Sequence, residues 1–188
     1  MQWKLPIQRI FISSMPVYVS VPYTEAVARV VVKAKENGNR FAQHLLAKAL
    51  LANLRHLLIV QKISRALVVP IPSSRSSLRR RGEDFLLTIV EKSLSDLPTC
   101  NSVEIAQLLY HRRRVADQSG LNQEKRQINM YQAFGIKGEG RDLPIIIVDD
   151  VVTTGSTILA AFSAFHEAGF TVAGAIAACA SAHRFPIR

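Results

Sequence analysis

Residues 145–157, Ile-Ile-Ile-Val-Asp-Asp-Val-Val-Thr-Thr-Gly-Ser-Thr, constrain this chain more than any other stretch. Four consecutive apolar, β-branched residues, Ile145 to Val148, read as a strand covered on both faces. That strand delivers two carboxylates, Asp149 and Asp150, into a small hydroxylated loop running from Asp149 to Thr157. A helix is expected from Ile158 to Ala168, closed by Gly169, and Thr171 to Ala178 supplies one more strand, less sharply defined because of its alanines. Strand, helix and strand within about 35 residues make a βαβ unit. Such a unit implies a parallel sheet with right-handed crossovers.

Each part of the block has a chemical use. Ligands of open α/β sheets bind beyond the carboxyl ends of the strands, where Asp149 and Asp150 would stand. The loop Thr153, Thr154, Gly155, Ser156, Thr157 would offer the N–H groups of a helix N-terminus, with Gly155 allowing close backbone approach and the hydroxyls adding donors around a phosphate. Two adjacent carboxylates repel a phosphate set directly on them. They suit sugar hydroxyls, with Mg²⁺ partly neutralising the assembly and Asp149 and Asp150 as its ligands, directly or through water. The pattern therefore favours a ribose phosphate over a bare anion. The plainer alternative is that the two acids cap a turn and the Thr and Ser residues start a helix; it suits a lone Thr-Gly-Ser better than the full run. No Gly-x-x-x-x-Gly-Lys-Ser/Thr pattern competes for the phosphate.

Upstream, Pro6, Pro16 and Pro22 punctuate extended segments and turns. A helix is expected from Glu25, with Val27, Val30 and Val31 on one side and a stop at Asn37-Gly38. A second runs from about Arg40 to Leu57, with Leu45, Leu46, Ala49, Leu50 and Leu54 as its inner face. Ala66 to Val69 reads as a buried strand ended by Pro70-Ile71-Pro72. The next residues, Ser73 to Gly82, read as a loop carrying Arg75, Arg79, Arg80 and Arg81, and a helix follows from Asp84 to Leu94 with Phe85, Ile89 and Val90 inward. Four arginines at a strand end can grip a diphosphate through several charge-assisted hydrogen bonds. A solvated basic loop, or a patch for nucleic-acid backbone, is the other reading of the same composition. Leu108 to Tyr110 and Ala133 to Ile136 are strand candidates. Between them, His111 to Gln132 is polar and basic, and Arg112 to Leu121, including Arg114 and Gln118, has the length and central Gly120 of an active-site lid; a charged surface excursion is the alternative.

Composition narrows the rest. The 188 residues include 24 Lys and Arg against 14 Asp and Glu, a net charge of +10 that favours polyanionic ligands without choosing among them. Two cysteines, Cys100 and Cys179, exclude a disulfide scaffold and an all-Cys zinc site, and read as packing residues of a cytoplasmic protein. No signal-peptide pattern and no apolar run of spanning length are found, so no membrane span is expected. The five histidines, His44, His56, His111, His166 and His183, lack metal-binding spacing and are given no role.

The 145–157 block resembles the phosphoribosyl diphosphate (PRPP) motif of type I phosphoribosyltransferases: a strand, two acids, then Thr-Thr-Gly-Ser/Ala-Thr. The resemblance implies that Asp149 and Asp150 hold the ribose 2′ and 3′ hydroxyls and that Thr153 to Thr157 hold the 5′-phosphate. Together with Tyr23, Ala34-Lys35-Glu36, Val69 to Gly82, Arg114 to Leu121 and Arg126 to Asn129, it resembles the ComF family of competence-associated phosphoribosyltransferase-like proteins, over about Tyr23 to Cys179. Members of that family commonly begin with a Cys-rich zinc module, which this sequence lacks. Many also carry Phe-Asn-Gln after the glycine of the basic segment, where this chain has Glu83-Asp84-Phe85.

The resulting expectation is an α/β protein of type I phosphoribosyltransferase fold, a mostly parallel sheet flanked by helices with a small N-terminal hood or appendage. Residues 1–60 would form an N-terminal extension and helical segment, and residues 61–188 the phosphoribosyltransferase-like domain. The expected activity is a glycosyl (pentosyl) transfer of nucleotide metabolism: PRPP or a ribose phosphate bound with Mg²⁺, phosphoribosyl passed to an acceptor, diphosphate released. Asp149, Asp150 and Arg79 would be catalytic, with Arg79 and Mg²⁺ stabilising the leaving group. Ser73, Ser74, Arg75 and Arg80 would bind diphosphate, and Arg112, Arg114 and Gln118 would belong to the lid. The alternative is a non-catalytic competence or DNA-uptake protein that keeps the fold to bind a ligand, DNA or a DNA-processing partner.

Overall fold

Ile145, Ile146, Ile147 and Val148 are fully buried at the centre of a six-stranded sheet, as a run with no polar face requires. The structure, a computed structural model, describes residues 6–97, 102–112, 133–138 and 142–181. Two strands, β1 (Gln8–Ile12) and β2 (Met15–Tyr23), form a hairpin. Two helices follow, α1 (Glu25–Glu36) and α2 (Arg40–Val60), started by Thr24, whose Oγ1 accepts from the Val27 N–H, and by Asn39, whose Oδ1 accepts from the Ala42 N–H at 2.9 Å. Then come β3 (Arg65–Pro70), α3 (Arg75–Arg81), α4 (Phe85–Leu94), β4 (Ser102–Ile105), β5 (Leu109–His111) and β6 (Phe134–Ile136). The chain closes with β7 (Ile145–Val152), α5 (Ser156–Glu167) and β8 (Val172–Ser181).

The main sheet has the order β1-β2-β8-β7-β3-β4, every neighbouring pair parallel except β1 with β2. It is thus a mixed, mostly parallel α/β sheet flanked by helices. From β3 the chain steps through α4 to β4 at one edge; from β7 it steps through α5 to β8 in the other direction. Right-handed crossovers in opposite directions put α4 and α5 on opposite faces; α2 packs against β2 and β8 and beside α4, which lies on β3 and β4. The direction of winding reverses between β3 and β7, whose residues pair from Leu67↔Ile145 to Pro70↔Val148. The carboxyl ends of two strands at such a reversal are where open sheets of this kind bind ligands.

Residues 8–23, expected to belong to a hood or appendage, lie in the main sheet. Their proline-marked stretches pair into β1 and β2, and β2 continues the main sheet in parallel with β8, from Val17↔Ala175 to Tyr23↔Ser181. Residues on both sides of position 60 therefore share one sheet and one core. Helix α2 buries Leu46, Ala49, Leu50 and Leu54 as expected, while Leu45 stays 43% exposed. Strand β4 had no distinct sequence signal: Ser102 and Glu104 are exposed on an edge strand, and only Val103 and Ile105 pack inward. No helix among the described residues is long and apolar enough to cross a membrane.

Candidate functional site

Both sequence-predicted segments reach the same edge of the sheet. After β3, the Ile71 N–H donates to the Val148 carbonyl at 2.9 Å, so the outgoing chain follows β7 to its carboxyl end. Ser73 is then fixed by Asp84, its N–H and Oγ donating to the carboxylate at 3.3 and 2.9 Å. The same Asp84 caps α4. Ser74 Oγ accepts from the Ser77 N–H at 3.2 Å and begins α3, so Ser73 to Gly82, expected as a loop, is largely helical. Gly82, at φ 76°, ends it in the left-handed region that glycine tolerates. The correction separates the arginines. Arg75 and Arg79 lie one turn apart on the exposed side of α3, while Arg80 and Arg81 turn to Glu36 of α1.

Strand β7 runs four residues further than the apolar run that announced it. Its partner β8 continues to Ser181, and the pairs Asp149↔Ala177 and Val152↔Ala180 hold the acidic residues within the ladder. Asp149 and Asp150 therefore project from a strand, and the connection to α5 shrinks to Thr153–Gly155. Gly155, at φ 78°, occupies the N-cap position of α5; a Cβ there would also lie 2.6 Å from Ile12 Cδ1. Having no side chain, Gly155 leaves the first-turn amides uncapped from that position. Thr154 Oγ1 lies 2.8 Å from Ser156 Oγ and accepts from the Ser156 N–H at 3.3 Å, and Ser181 Oγ donates to the Thr153 carbonyl at 3.1 Å. The five residues Thr153, Thr154, Gly155, Ser156 and Thr157 thus form a tight strand-to-helix turn beside the acid pair.

The residues of α1 complete the site. This helix starts where β2 ends and finishes over the tip of β7, where Lys35 Nζ lies 2.6 Å from Asp150 Oδ2. The Lys35 ammonium also sits 5.7 Å from the centre of the Phe85 ring. Burial alone would raise the Asp150 pKa, but the Lys35 charge and hydrogen bond hold it below the ordinary carboxylate range. Lys35 is held above its ordinary value by Asp150 despite its own burial. Asp149 behaves in the opposite way: burial, and next the neighbouring Asp150 charge, push it up to about 8, although Lys35 pulls it down. Its Oδ1 accepts the Asp150 N–H at 2.8 Å. One carboxylate is therefore charged and paired, while the other holds its proton more tightly than an ordinary carboxyl group does.

Glu36 Oε1 lies 3.1 Å from Arg80 and 3.5 Å from Arg81, so consecutive residues of α1 reach the acidic and the basic segments in turn. Gln43, buried in α2, supports them: its Nε2 donates to the Ala34 carbonyl at 3.5 Å and to Glu83 at 3.3 Å, and its Oε1 accepts from Lys92. Sequence reasoning quoted Lys35 and Glu36 without giving them a role, placed Asp84 at a helix start without its hold on Ser73, and missed Gln43. A signal for Glu36 was present: a carboxylate in the last turn of a helix opposes the helix dipole and so calls for a tertiary partner.

His111, given no role from sequence, places its Nε2 3.0 Å from the Pro72 carbonyl and so ties the β5–β6 ribbon to the loop after β3. The Arg112 N–H donates to the Ala133 carbonyl at 2.9 Å at the base of that ribbon. Arg114 and Gln118, the rest of the expected lid, lie outside the described residues, as does Cys100. Cys179 is buried behind the acid pair, its thiol pushed up by burial and then by Asp150 and Asp149, its Sγ donating weakly to the Asp150 carbonyl. It packs and does not act as a nucleophile. Among the described residues no group of three or more His, Cys, Asp or Glu is arranged to hold a metal ion. In comparisons with known proteins, the chain matches no family model and no curated protein.

Proposed function

We propose that this edge of the sheet binds PRPP, or a ribose phosphate of that kind, together with Mg²⁺, and that the protein transfers the phosphoribosyl group to an acceptor. One observation carries the reading: the acid pair with its strand-to-helix turn and the arginine-bearing helix follow the carboxyl ends of adjacent strands, at the point where the sheet reverses its winding. The described segments that resemble the ComF pattern, Tyr23, Lys35 and Glu36, the run from Val69 to Gly82 and the run from Ile145 to Thr157, converge on that edge. Such convergence is what a shared ligand site requires of them.

In this reading Asp149 and Asp150 accept hydrogen bonds from the ribose hydroxyls, and the amides and hydroxyls of Thr153 to Thr157 surround the 5′-phosphate. Arg75, Arg79 and Arg80, with Ser73 and Ser74 shaping the turn beneath them, receive the diphosphate. The donor set fits Mg²⁺, which keeps most of its water and takes one or two carboxylates plus phosphate oxygens; Asp149 and Asp150 would hold it, directly or through water. When bound, Mg²⁺ would supply charge neutralisation at the diphosphate. In the transfer, the bond from ribose C1 to diphosphate breaks and its electron pair leaves on diphosphate. A bond forms between C1 and a nucleophilic atom of the acceptor, whose proton passes to solvent. The arginines stabilise the charge that grows on the leaving group, which makes catalysis largely a matter of position and electrostatics.

Calorimetry tests the reading. Wild-type protein should bind PRPP saturably in the presence of Mg²⁺, and Asp149→Asn should weaken that binding by at least about tenfold, the loss of one charged hydrogen-bonding group. Absence of binding, or equal binding by the variant, refutes the site. Release of diphosphate from PRPP on adding nucleobases or small acids distinguishes transfer from binding alone.

A further inference from the structure

We propose that Lys35 and Glu36, the last two residues of α1, stand in for the charges of the ligand: Lys35 holds Asp150 in place of a cation, and Glu36 holds Arg80 and Arg81 in place of a diphosphate. This rests on the site reading above and adds a competitor built into the chain. Ligand binding then requires the end of α1 to release both contacts.

Two adjacent residues of opposite sign each contact the segment expected to bind the opposite ligand charge, at 2.6 Å for Lys35 to Asp150 and 3.1 Å for Glu36 to Arg80. The Glu36 contact is a poor match for what it touches. A single oxygen serves two guanidiniums, the second at 3.5 Å, so most of their forked donors are left to a ligand with more oxygens. Its position in the last turn, against the helix dipole, gives Glu36 no local reason to be acidic.

The helix is also lightly held. Val31 and Ala34 are its only buried residues among twelve, whereas α2 buries eleven. Beyond Glu36 the chain turns through Asn37 and Gly38, the latter at φ 59°. A small displacement of the last turn would free Asp150 and the arginines together.

Inorganic diphosphate and Mg²⁺ are the probes. Glu36→Gln should bind diphosphate about two- to fivefold tighter than wild type, the range expected for releasing a partly exposed ion pair. Glu25→Gln removes the same charge from the far end of α1, where Glu25 pairs with Arg29, and should change the affinity by less than about twofold. Equal or weaker binding by Glu36→Gln overturns the stand-in role and makes Glu36 a residue that positions the arginines. An equal gain in both variants overturns it too, as a bulk charge effect. For the other half, Mg²⁺ alone should raise the thermal midpoint of Lys35→Met more than that of wild type; equal responses overturn it. If neither wild type nor any variant binds diphosphate, the site reading fails and this inference fails with it; binding by wild type without the Glu36→Gln gain defeats this inference alone.

Discussion

Asp149→Asn should stabilise the ligand-free protein, and increasingly so as the pH rises. Folding moves the Asp149 carboxyl from 3.8 up to about 8, through burial first and the Asp150 charge second. Between about pH 4 and pH 8 the native state therefore keeps a proton that the unfolded chain has lost, and linkage makes stability fall as the pH rises through that window. Above about pH 8 the native carboxyl ionises too, and the slope disappears. Each unit of displacement corresponds to about 1.4 kcal/mol, so roughly four units set a ceiling on the order of 5 kcal/mol. Asp149 is only partly buried, and solvent screening brings the expected effect to about 2–3 kcal/mol. Asn cannot ionise, yet its Oδ1 can still accept the Asp150 N–H. Asp150 does not confuse the result: its pKa is lowered by Lys35, so its contribution is fully present above the unfolded value near 4 and fades only as the pH falls through its folded value. Urea denaturation of both proteins at pH 5, 6.5 and 8.5 should show a gap in favour of the variant that widens with pH. A pH-independent gap, or a wild type more stable at pH 8.5, would refute the charge argument.

Two further expectations follow from single residues. Gly155→Ala places a Cβ 2.6 Å from Ile12 Cδ1 at a φ of 78°; left-handed strain and overpacking together should cost about 2–4 kcal/mol, with part recovered by Ile12→Val, and an unchanged thermal midpoint would contradict it. Asp84→Ala removes the cap of α4 and the hold on Ser73 together, which should cost about 2 kcal/mol, whereas Ser73→Ala should cost less because the cap survives; equal losses in chemical denaturation would show that the cap contributes nothing.

What could be read in the sequence was whatever repeats with a local period or sits in a local motif. The 145–148 run, the inner face of α2 and the start of α4 at Asp84 were legible because burial on one or both faces leaves a pattern in a few consecutive residues. The extension of β7 through Asp149 and Asp150 was not legible, since the reason for it is the length of β8, some 30 positions away. Polarity made Ser73 to Gly82 look like a loop, although Ser74 and Gly82 are ordinary start and stop signals for a short helix. Lys35 was beyond local inspection for a different reason. Its partner Asp150 lies more than a hundred residues further on, and only the course of α1 over the sheet edge brings them together.

The two halves of the site are held in different ways, and that difference bears on how it works. The acidic half is built into the ladder of β7 with β8, with Gly155 and the Thr154–Ser156 hydroxyl pair fixing the turn that follows. Groups placed so need little ordering when a ligand arrives, which is the condition for strong binding by few contacts. The basic half rides on α3, which has no buried residue of its own and is secured at its ends by Ser74, Gly82 and the exposed pairing of Arg80 with Glu36. Long arginine side chains on such a helix lose rotamer freedom on binding, so the ligand itself must organise them. In the proposed reaction the acidic half meets the part of PRPP that stays with the sugar, and the basic half meets the part that leaves. A rigid grip on the ribose combined with an adaptable grip on diphosphate lets the arginines follow the leaving group as its charge develops, while the reacting carbon stays where the acceptor must find it.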